Sequence, residues 1–348
     1  METEHRVVLD DARTLSAVDD DAVDLVVTSP PYPLVEQWDD LFSDLDPAVG
    51  EALAAGDGDR AFRSMHDALD AVWAELERVL APGGIACINV GDATRTVDGE
   101  FQLWPNHTEI VARMRDRGFS CLPEILWRKP TNSPSKFMGS GTLPPNAYPT
   151  LEHEHLLLFR NGDLREFPPG DDDRYESAFF WEERNEWFSD TWEILGEDQR
   201  LAAGDGARER SAAYPLEIPL RLIRMFSTYG DTVLDPFLGT GTTTVAAMVA
   251  GRDSVGYELD PAFAEAIGES VERVPDLSER LVADRLDAHR EFVERRRAEG
   301  DPPGYEAENY EFPVTTKNER RIQLYTVADV ARTGTAEGHR YRAMHEPY

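Results

Sequence analysis

One stretch decides the fold of this chain: Asp231–Thr243, with the sequence DTVLDPFLGTGTT. A β-branched and apolar run ends in Asp235, a glycine-rich turn follows, and the threonine run begins a helix. Glycines placed after a strand let the backbone approach a ligand closely, as in dinucleotide-binding folds. The stretch lacks both the G-x-G-x-x-G pattern and a lysine after the glycines, which excludes a phosphate loop. The acid and the short turn favour a cationic nucleoside that carries no phosphate.

Short apolar runs alternate with helical patterns along the rest of the chain, which predicts an α/β domain around a mainly parallel sheet. Glu258 ends a second strand 23 residues after Asp235, the spacing at which such folds place a carboxylate on ribose hydroxyls. The alternative for the glycine loop alone is a strand-to-helix turn without a ligand. Strands are expected at Val7–Leu9, Val23–Thr28, Ile85–Val90, Glu124–Arg128, His155–Phe159, Thr232–Asp235 and Ser254–Glu258.

The second informative stretch is Ser29-Pro30-Pro31-Tyr32, which directly follows the apolar run Val23–Thr28. It should lie at the carboxyl end of a strand, where open α/β sheets bind their ligands. The prolines fix φ and lack N–H groups, so rigid carbonyls beside the Ser29 hydroxyl are left to accept hydrogen bonds from an amino group. Tyr32 offers a flat face to a planar ring. The structural alternative is a proline-rich loop with a buried tyrosine.

The order of these two motifs resembles the beta-arrangement family of DNA amino-methyltransferases, over roughly residues 5–275. The resemblance implies an α/β, Rossmann-like methyltransferase fold with a mostly parallel seven-stranded sheet, a circularly permuted motif order and a small recognition insert. It implies S-adenosyl-L-methionine as cofactor and double-stranded DNA as substrate. The expected divisions are a catalytic half at 1–162, a target-recognition insert at 163–210, a cofactor-binding half at 211–275 and a charged C-terminal helix and tail at 276–348.

The same resemblance implies roles for single residues. The catalytic set is Ser29, Pro30, Pro31 and Tyr32. The cofactor-binding set is Asp11, Asp235, Pro236, Phe237, Gly239, Thr240, Gly241, Thr242 and Glu258. The family has Gly-Asp-Ala where this chain has Asp10-Asp11-Ala12. The resemblance therefore implies that Asp11 contacts adenine, with Asp10 as the alternative. The segment from Ser211 to Leu216 resembles one that closes over the cofactor.

The first residue of the Ser-Pro-Pro-Tyr motif bears on the choice of base. In the family, SPPY more often accompanies cytosine N4, and DPPY accompanies adenine N6. Ser29 therefore favours the N4 amino group of cytosine. Adenine N6, or an amino group of RNA or protein, is the alternative. Neither cysteine lies in a Pro-Cys motif, which argues against methylation of cytosine C5.

The net charge is unusual for a DNA-binding protein. Acidic residues outnumber basic ones by 67 to 35, for a net charge of −32. Because phosphate contacts dominate nucleic-acid affinity, either the partner is not a nucleic acid or the protein works in high salt. At ~1 M salt the Debye length falls to ~3 Å, so repulsion hardly reaches the partner. The composition resembles cytoplasmic proteins of extreme halophiles, and the family resemblance then suggests a short palindromic target such as CTAG.

Local charge predicts where DNA lies. Residues 111–138 hold six basic and two acidic residues in an otherwise acidic chain. Arg128, Lys129 and Lys136 are expected to contact phosphates, which positions the DNA without specifying sequence. Arg113–Arg117 is expected to be a solvated helix face. The aromatic-rich insert 163–210 is expected to form a small subdomain or a contact surface that reads the sequence.

The remaining features predict a cytoplasmic protein. No membrane span or secretory signal is predicted, and Cys87 and Cys121 are expected to be buried thiols. His153 and His155 share a strand face, but no third ligand is evident, so no metal is expected. A monomer or homodimer is expected, with any cognate restriction endonuclease on a separate chain.

Overall fold

The computed structural model describes residues 1–129, 138–194, 214–334 and 339–348. The strands are β1 Glu2–Val8, β2 Val23–Thr28, β3 Leu80–Val90, β4 Ala93–Val97, β5 Glu100–Trp104, β6 Ser120–Cys121, β7 Ile125–Arg128, β8 Met138–Gly139, β9 Ala147–Tyr148, β10 His153–Arg160, β11 Thr191–Trp192, β12 Thr232–Asp235, β13 Asp253–Tyr257, β14 Tyr305–Glu306, β15 Pro313–Val314, β16 Tyr325–Arg332 and β17 His339–Pro347. The helices are α1 Asp39–Leu45, α2 Pro47–Ala54, α3 Gly58–Val79, α4 Asn106–Asp116, α5 Asp172–Glu176, α6 Trp181–Trp187, α7 Glu217–Phe226, α8 Thr242–Ala250, α9 Phe263–Glu272 and α10 Val274–Ala298. Short 3-10 helices cover Glu36–Trp38 and Lys317–Arg321. No helix among the described residues is long and apolar enough to cross a membrane.

The main sheet runs in the order β11-β7-β10-β3-β2-β12-β13-β1-β17-β16, with β6 paired to β10. The five central strands from β3 to β1 are parallel to one another. β10 pairs antiparallel with both β3 and β7. The expected α/β architecture with a mostly parallel sheet is confirmed, since its parallel strands form the centre.

The expected count of seven strands was wrong: the described residues form an eleven-stranded sheet. The seven expected strands are all present and adjacent, from β7 to β1. The C-terminal hairpin β16–β17 adds to them because β17 pairs antiparallel with β1. Without the hairpin, β1 would present unpaired backbone groups at the sheet edge. Two-residue strands β6 and β11 complete the count.

Two hydrophobic cores cover the two faces of the sheet, as the alternation of side chains along β2 requires. Leu25 and Val27 belong to the core shared with α7 and α8. Val26 belongs to the opposite core, shared with α3 and α4. Helices on both faces leave the carboxyl ends of the parallel strands as the open edge where a ligand can enter.

The acidic stretch Glu36–Arg60 is helical over most of its length. It forms α1, α2 and the start of α3. Asp46 caps α2 by accepting a hydrogen bond from the Ala48 N–H at 2.9 Å, and Phe42 and Val49 are fully buried. These few apolar residues turn a polar stretch into a packed layer beside α3.

The cysteines differ from each other. Cys87 lies in β3 and is buried, as expected, whereas Cys121 in β6 is exposed, contrary to expectation. Cys121 belongs to a two-residue strand whose side chains both face solvent.

Candidate active site

The two motifs meet at the carboxyl ends of neighbouring strands. β2 and β12 pair in parallel, with Leu25 opposite Val233. Their last residues touch, since the Thr28 hydroxyl donates a hydrogen bond to the Asp235 carboxylate at 2.6 Å. The turn that begins at Ser29 and the glycine loop therefore start from two hydrogen-bonded strand ends, although Ser29 and Asp235 are 206 positions apart in the sequence.

Asp235 is buried, and its carboxylate is engaged in internal hydrogen bonds. It also accepts hydrogen bonds from the Thr243 hydroxyl at 2.6 Å and from the Phe237 N–H at 3.0 Å. The Tyr214 hydroxyl lies 2.7 Å from Thr243, whose own proton goes to Asp235, so Tyr214 donates. Burial raises the pKa of Asp235 to about 6. Asp235 thus fixes the shape of the loop from beneath.

Glu258 follows β13 directly and stands beside the same loop. Its carboxylate accepts hydrogen bonds from the Gly239 N–H at 2.7 Å and the Asp260 N–H at 2.8 Å. Gly239 and Gly241 have φ of +56° and +87°, a left-handed conformation that glycine adopts without strain. Burial raises the pKa of Glu258 to about 7. Each carboxylate oxygen keeps a lone pair with which it could accept a ligand hydroxyl.

A cleft of about 780 Å³ opens above these residues, which is a typical size for a cofactor site. It brings together nearly all of the expected site residues: Asp11, Ser29, Pro30, Pro31, Tyr32, Asp235, Pro236, Phe237, Gly239, Thr240, Thr242 and Glu258. Gly241 is not among the lining residues, and a Cβ added to it would meet the Ile267 side chain at 3.2 Å. A nucleoside with a cationic tail fits this lining, because apolar side chains and several carboxylates, among them Asp11, Asp40 and Glu258, face the same cleft.

Asp10 and Asp11 both line the cleft, so the choice between them as the adenine contact stays open. Asp11 is engaged with Arg13, which donates to it from its Nε at 2.9 Å and its Nη2 at 2.7 Å. Asp10 accepts a hydrogen bond from the Asp11 N–H at 2.8 Å.

The Tyr32 hydroxyl is held by a polar cluster at the floor of the Ser-Pro-Pro-Tyr turn. It lies 3.0 Å from the Ser29 hydroxyl, 3.1 Å from the Glu154 carboxylate and 2.9 Å from the Asn89 amide nitrogen. Lys129 forms an ion pair with the other oxygen of Glu154. The ring of Tyr32 remains at the cleft wall.

The expected DNA contacts are engaged with acidic neighbours in the protein alone. Arg128 donates to Glu193 at 2.9 Å with its side chain more than half exposed. Lys129 pairs with Glu154 and lies 4.4 Å above the ring of Trp127. Lys136 lies outside the described residues. Each of these ion pairs must open, or be bridged, when a phosphate arrives.

The arginines between Arg113 and Arg117, at the end of α4 and directly after it, were expected to be a solvated face, and this was wrong for two of the three. Arg113 pairs with Asp67 at 2.8 Å and Arg117 pairs with Asp70 at 2.8 Å, both on α3. These pairs join two neighbouring helices, and they leave Arg115 exposed.

The aromatic residues of the insert are largely buried. Phe180, Trp187 and Trp192 are at most 6% exposed, and the ring of Phe180 stacks on His289 of α10 at 4.1 Å. Arg285 of α10 binds the Glu183 carboxylate. The described part, 163–194, therefore packs as a unit with the C-terminal segment. Residues 195–210 of the insert lie outside the described residues. So do Ser211–Ala213, which belong to the segment expected to close over the cofactor.

One histidine cluster lies near the site. An Asp92 oxygen and ring nitrogens of His107 and His155 lie within 4.8 Å of one another. However, the two rings stack face to face at 4.0 Å, so the in-plane lone pairs run parallel and do not converge. His107 Nδ1 already contacts both Asp92 oxygens at 2.8 Å. The arrangement suits a hydrogen-bonded acid–histidine pair, and a metal-free protein stays a prediction.

Several residues of the site were missed from the sequence. Trp38, Asp40 and Asp44 line the cleft because the acidic stretch folds into helices. Glu154 and Asn89 reach Tyr32 from β10 and β3. The only sequence signal for them was their place in or next to the predicted strands: Asn89 is near the carboxyl end of β3, and Glu154 is in β10, which is antiparallel to β3.

Comparisons with known proteins agree with this geometry. A family model described as DNA methylase, of the N6/N4 methyltransferase type, matches residues 23–269. Type II methyltransferase M.MthZI of Methanothermobacter thermautotrophicus is 49% identical over 329 residues, which are 93% of this chain and 91% of that protein. M.MjaI of Methanocaldococcus jannaschii, also a Type II methyltransferase, is 48% identical over 77% of this chain and 91% of its own length. The structure of TTHA0409 from Thermus thermophilus, described as a DNA modification methylase, has been solved with S-adenosyl-L-methionine. TTHA0409 is 33% identical in sequence, and the match covers 77% of this chain and 93% of the TTHA0409 chain, with a TM-score of 0.61.

Proposed function

The chain belongs to the N6/N4 DNA methylase family and is an S-adenosylmethionine-dependent DNA methyltransferase; from that premise we propose that its target is the N4 amino group of cytosine in duplex DNA. One observation carries the proposal. The Ser29–Tyr32 turn, the glycine loop after Asp235 and Glu258 line a single cleft, so an amine acceptor and a methyl donor can meet there. Asp235 joins the two through Thr28.

The cofactor, when bound, supplies an electrophilic methyl group on its sulfonium. We assign its binding to Glu258, to the glycine loop, and to Asp11 or Asp10. Glu258 would accept the ribose hydroxyls with the lone pairs that its two backbone donors leave free. Asp235 would act from beneath the loop, by holding its shape, because its carboxylate is already engaged.

The target base would reach the cleft by leaving the double helix, since a stacked base cannot present its amino group there. Unstacking costs a few kcal/mol, which protein contacts must offset. Tyr32 would stack on the flipped ring, while the Pro30 carbonyl and Ser29 accept hydrogen bonds from its amino group. Most of the acceleration would come from alignment of the amine with the methyl group, for which ~7–11 kcal/mol is a known range.

Serine at position 29 favours cytosine over adenine within this scheme. A neutral hydroxyl is a weaker acceptor than the carboxylate that an aspartate would place there. Methylation of cytosine C5 would need a cysteine nucleophile, and neither Cys87 nor Cys121 lines the cleft. Methylation of adenine N6 by the same site is the alternative, and RNA or protein amines come after it.

Phosphate contacts are assigned to Arg128, Lys129 and Lys136, and sequence reading to the insert 163–210. Because Phe180, Trp187 and Trp192 are buried, bases would be read by other parts of that insert. The net charge of −32 supports a protein adapted to high salt, where DNA can approach despite the acidic surface. The likeness to Type II methyltransferases supports a role in restriction–modification. The proposed target is a short palindrome such as CTAG.

The acceptor class is tested by offering labelled S-adenosylmethionine together with unmodified DNA, RNA or a protein mixture in ~2 M KCl. Label in duplex DNA supports the proposal, and label only in RNA or protein overturns it. Pro30→Ala supplies the internal comparison. It should abolish transfer while the cofactor still binds, whereas loss of cofactor binding would make the turn a structural element.

A further inference from the structure

The hydrogen bonds around Tyr32 have only one consistent direction. Asn89 donates its two amide protons to the Tyr32 hydroxyl at 2.9 Å and to Glu154 Oε2 at 2.7 Å, and the same nitrogen lies 3.4 Å from the Ser29 oxygen. The Glu154 oxygen cannot donate, so the single proton of Tyr32 points to it across 3.1 Å. The bond of 3.0 Å between Ser29 and Tyr32 must then be donated by Ser29.

This direction determines what Ser29 offers the cleft. Once its proton is committed to Tyr32, its oxygen faces the cleft with lone pairs only. It can therefore accept a hydrogen bond from an amino group, and it cannot donate one to a carbonyl or ring nitrogen. Glu154, at the far end of the chain of hydrogen bonds, gives the chain this direction by accepting the Tyr32 proton.

On the basis of the proposed function, we propose that Glu154 orients this chain of hydrogen bonds and accepts, through Tyr32 and Ser29, the proton that the target amine loses on methylation. The amine forms the new N–C bond with its lone pair while the S–C bond breaks, and the nitrogen becomes positively charged. Its N–H electron pair then returns to nitrogen as the proton moves to the Ser29 oxygen. The Ser29 proton passes to Tyr32, and the Tyr32 proton passes to Glu154, which becomes a neutral acid.

The surroundings suit a transient proton acceptor. Glu154 keeps only 12% of its side chain exposed, and the charged group beside it is Lys129, whose side chain is 44% exposed. The groups that can titrate and that contact Glu154 are Lys129, which directly follows β7, and Tyr32 from the turn after β2. His153 and His155, its neighbours in β10, alternate to the opposite face of the strand. A proton on Glu154 can therefore return to solvent beside Lys129.

The test measures single-turnover methyl transfer to DNA at saturating cofactor, as a function of pH, in the wild type and four variants. Glu154→Gln replaces the acceptor by an amide that can donate to Tyr32 and reverse the chain of hydrogen bonds. Tyr32→Phe keeps the ring and removes that chain, and the double variant combines both. Glu124→Gln, which removes a carboxylate before β7 outside the relay, is the matched control.

Glu154→Gln should lower the rate by ~10²-fold, within the known range for proton transfer by a side chain. Its cofactor affinity should be unchanged, and the acid-side fall of the wild-type rate should disappear. Tyr32→Phe should lose the same acid-side fall, and adding Glu154→Gln to it should cost nothing more. Glu124→Gln should match the wild type in rate and profile.

Two results would overturn the inference: a Glu154→Gln rate within about twofold of wild type with the acid limb intact, or multiplicative losses in the double variant. If Glu154→Gln does not fold, Tyr32→Phe decides alone, since retention of the wild-type acid limb contradicts the relay. Absence of label from DNA with the wild type overturns the proposed function and the relay with it. Normal wild-type transfer with unaffected variants overturns the relay alone, whichever base is methylated.

Discussion

The affinity for S-adenosylmethionine should fall steeply as the pH is lowered below 7, because Glu258 must ionise to hold the ribose hydroxyls. Burial raises the pKa of this carboxyl to about 7 in the protein alone, while Gly239 and Asp260 donate to it. Ligand hydroxyls donate best to the ionised form, so binding should release a proton near neutrality.

The size of the effect follows from that pKa. About nine-tenths of Glu258 is ionised at pH 8 and about one-tenth at pH 6, so the Kd should rise ~10-fold between them, or ~1.4 kcal/mol. Asp235, whose pKa is about 6, should steepen the loss below pH 6 because its ionised form holds Thr28 and Thr243. Glu258→Gln should weaken binding at pH 8 by ~1.5–3 kcal/mol, the range for hydrogen bonds to a charged group.

The assay is calorimetric titration of the cofactor between pH 5.5 and 8.5 at fixed high salt, in buffers of different ionisation enthalpy. Glu258→Gln should keep only the dependence that Asp235 contributes, about twofold between pH 8 and pH 6. A wild-type Kd that is constant over this interval would contradict the assignment, as would an unchanged dependence in the variant.

The same carboxyl links stability to pH in the opposite direction: cofactor affinity rises with pH, whereas the stability of the cofactor-free protein falls. Because the folded pKa of Glu258 is raised, the cofactor-free protein should lose stability as the pH rises through 7, and Glu258→Gln should relieve this loss in thermal unfolding.

Three further predictions concern the loop, the surface charge and the insert. Asp235→Ala should abolish cofactor binding and lower the free energy of unfolding by ~1–3 kcal/mol for each buried hydroxyl left unpaired; unchanged binding by titration would contradict its bracing role. DNA methylation should increase between ~0.1 and ~2 M KCl while cofactor affinity changes little, because the net charge of −32 repels DNA when unscreened; a steady fall of activity with salt would contradict this. Phe180→Ala should cost ~3–5 kcal/mol in chemical unfolding, while the exposed Phe188→Ala should cost little; equal costs would contradict the packing of the insert on α10.

The sequence was sufficient for the parts of the fold that are governed by local patterns. The apolar run Val23–Thr28 and the strand Thr232–Asp235 end where the sequence indicated, because prolines and glycines terminate them at once. The position of the glycine loop at the cleft could be predicted for the same reason, because strand, turn and helix follow one another between Asp231 and Thr243.

The rest depended on long-range packing that no local pattern contains. Glu154 and Asn89 reach Tyr32 only because β10 lies antiparallel to β3, which brings them together across 65 residues. The helices between Glu36 and Arg60 were hidden by their acidic surface, since only a few residues such as Phe42 are buried. The aromatic insert looked like a contact surface because its partner, α10, follows it by about a hundred residues.

The choice of base is decided by the nucleosides recovered after the wild-type protein acts on unmodified DNA with trideuteromethyl-labelled S-adenosylmethionine in ~2 M KCl. Enzymatic hydrolysis and mass spectrometry then identify the labelled nucleoside, and the deuterium excludes methylation already present in the DNA. We expect trideuteromethyl label on the N4 nitrogen of deoxycytidine. Label on the N6 nitrogen of deoxyadenosine, with none on cytosine, would contradict the assignment of Ser29 while leaving the cleft and its cofactor in place.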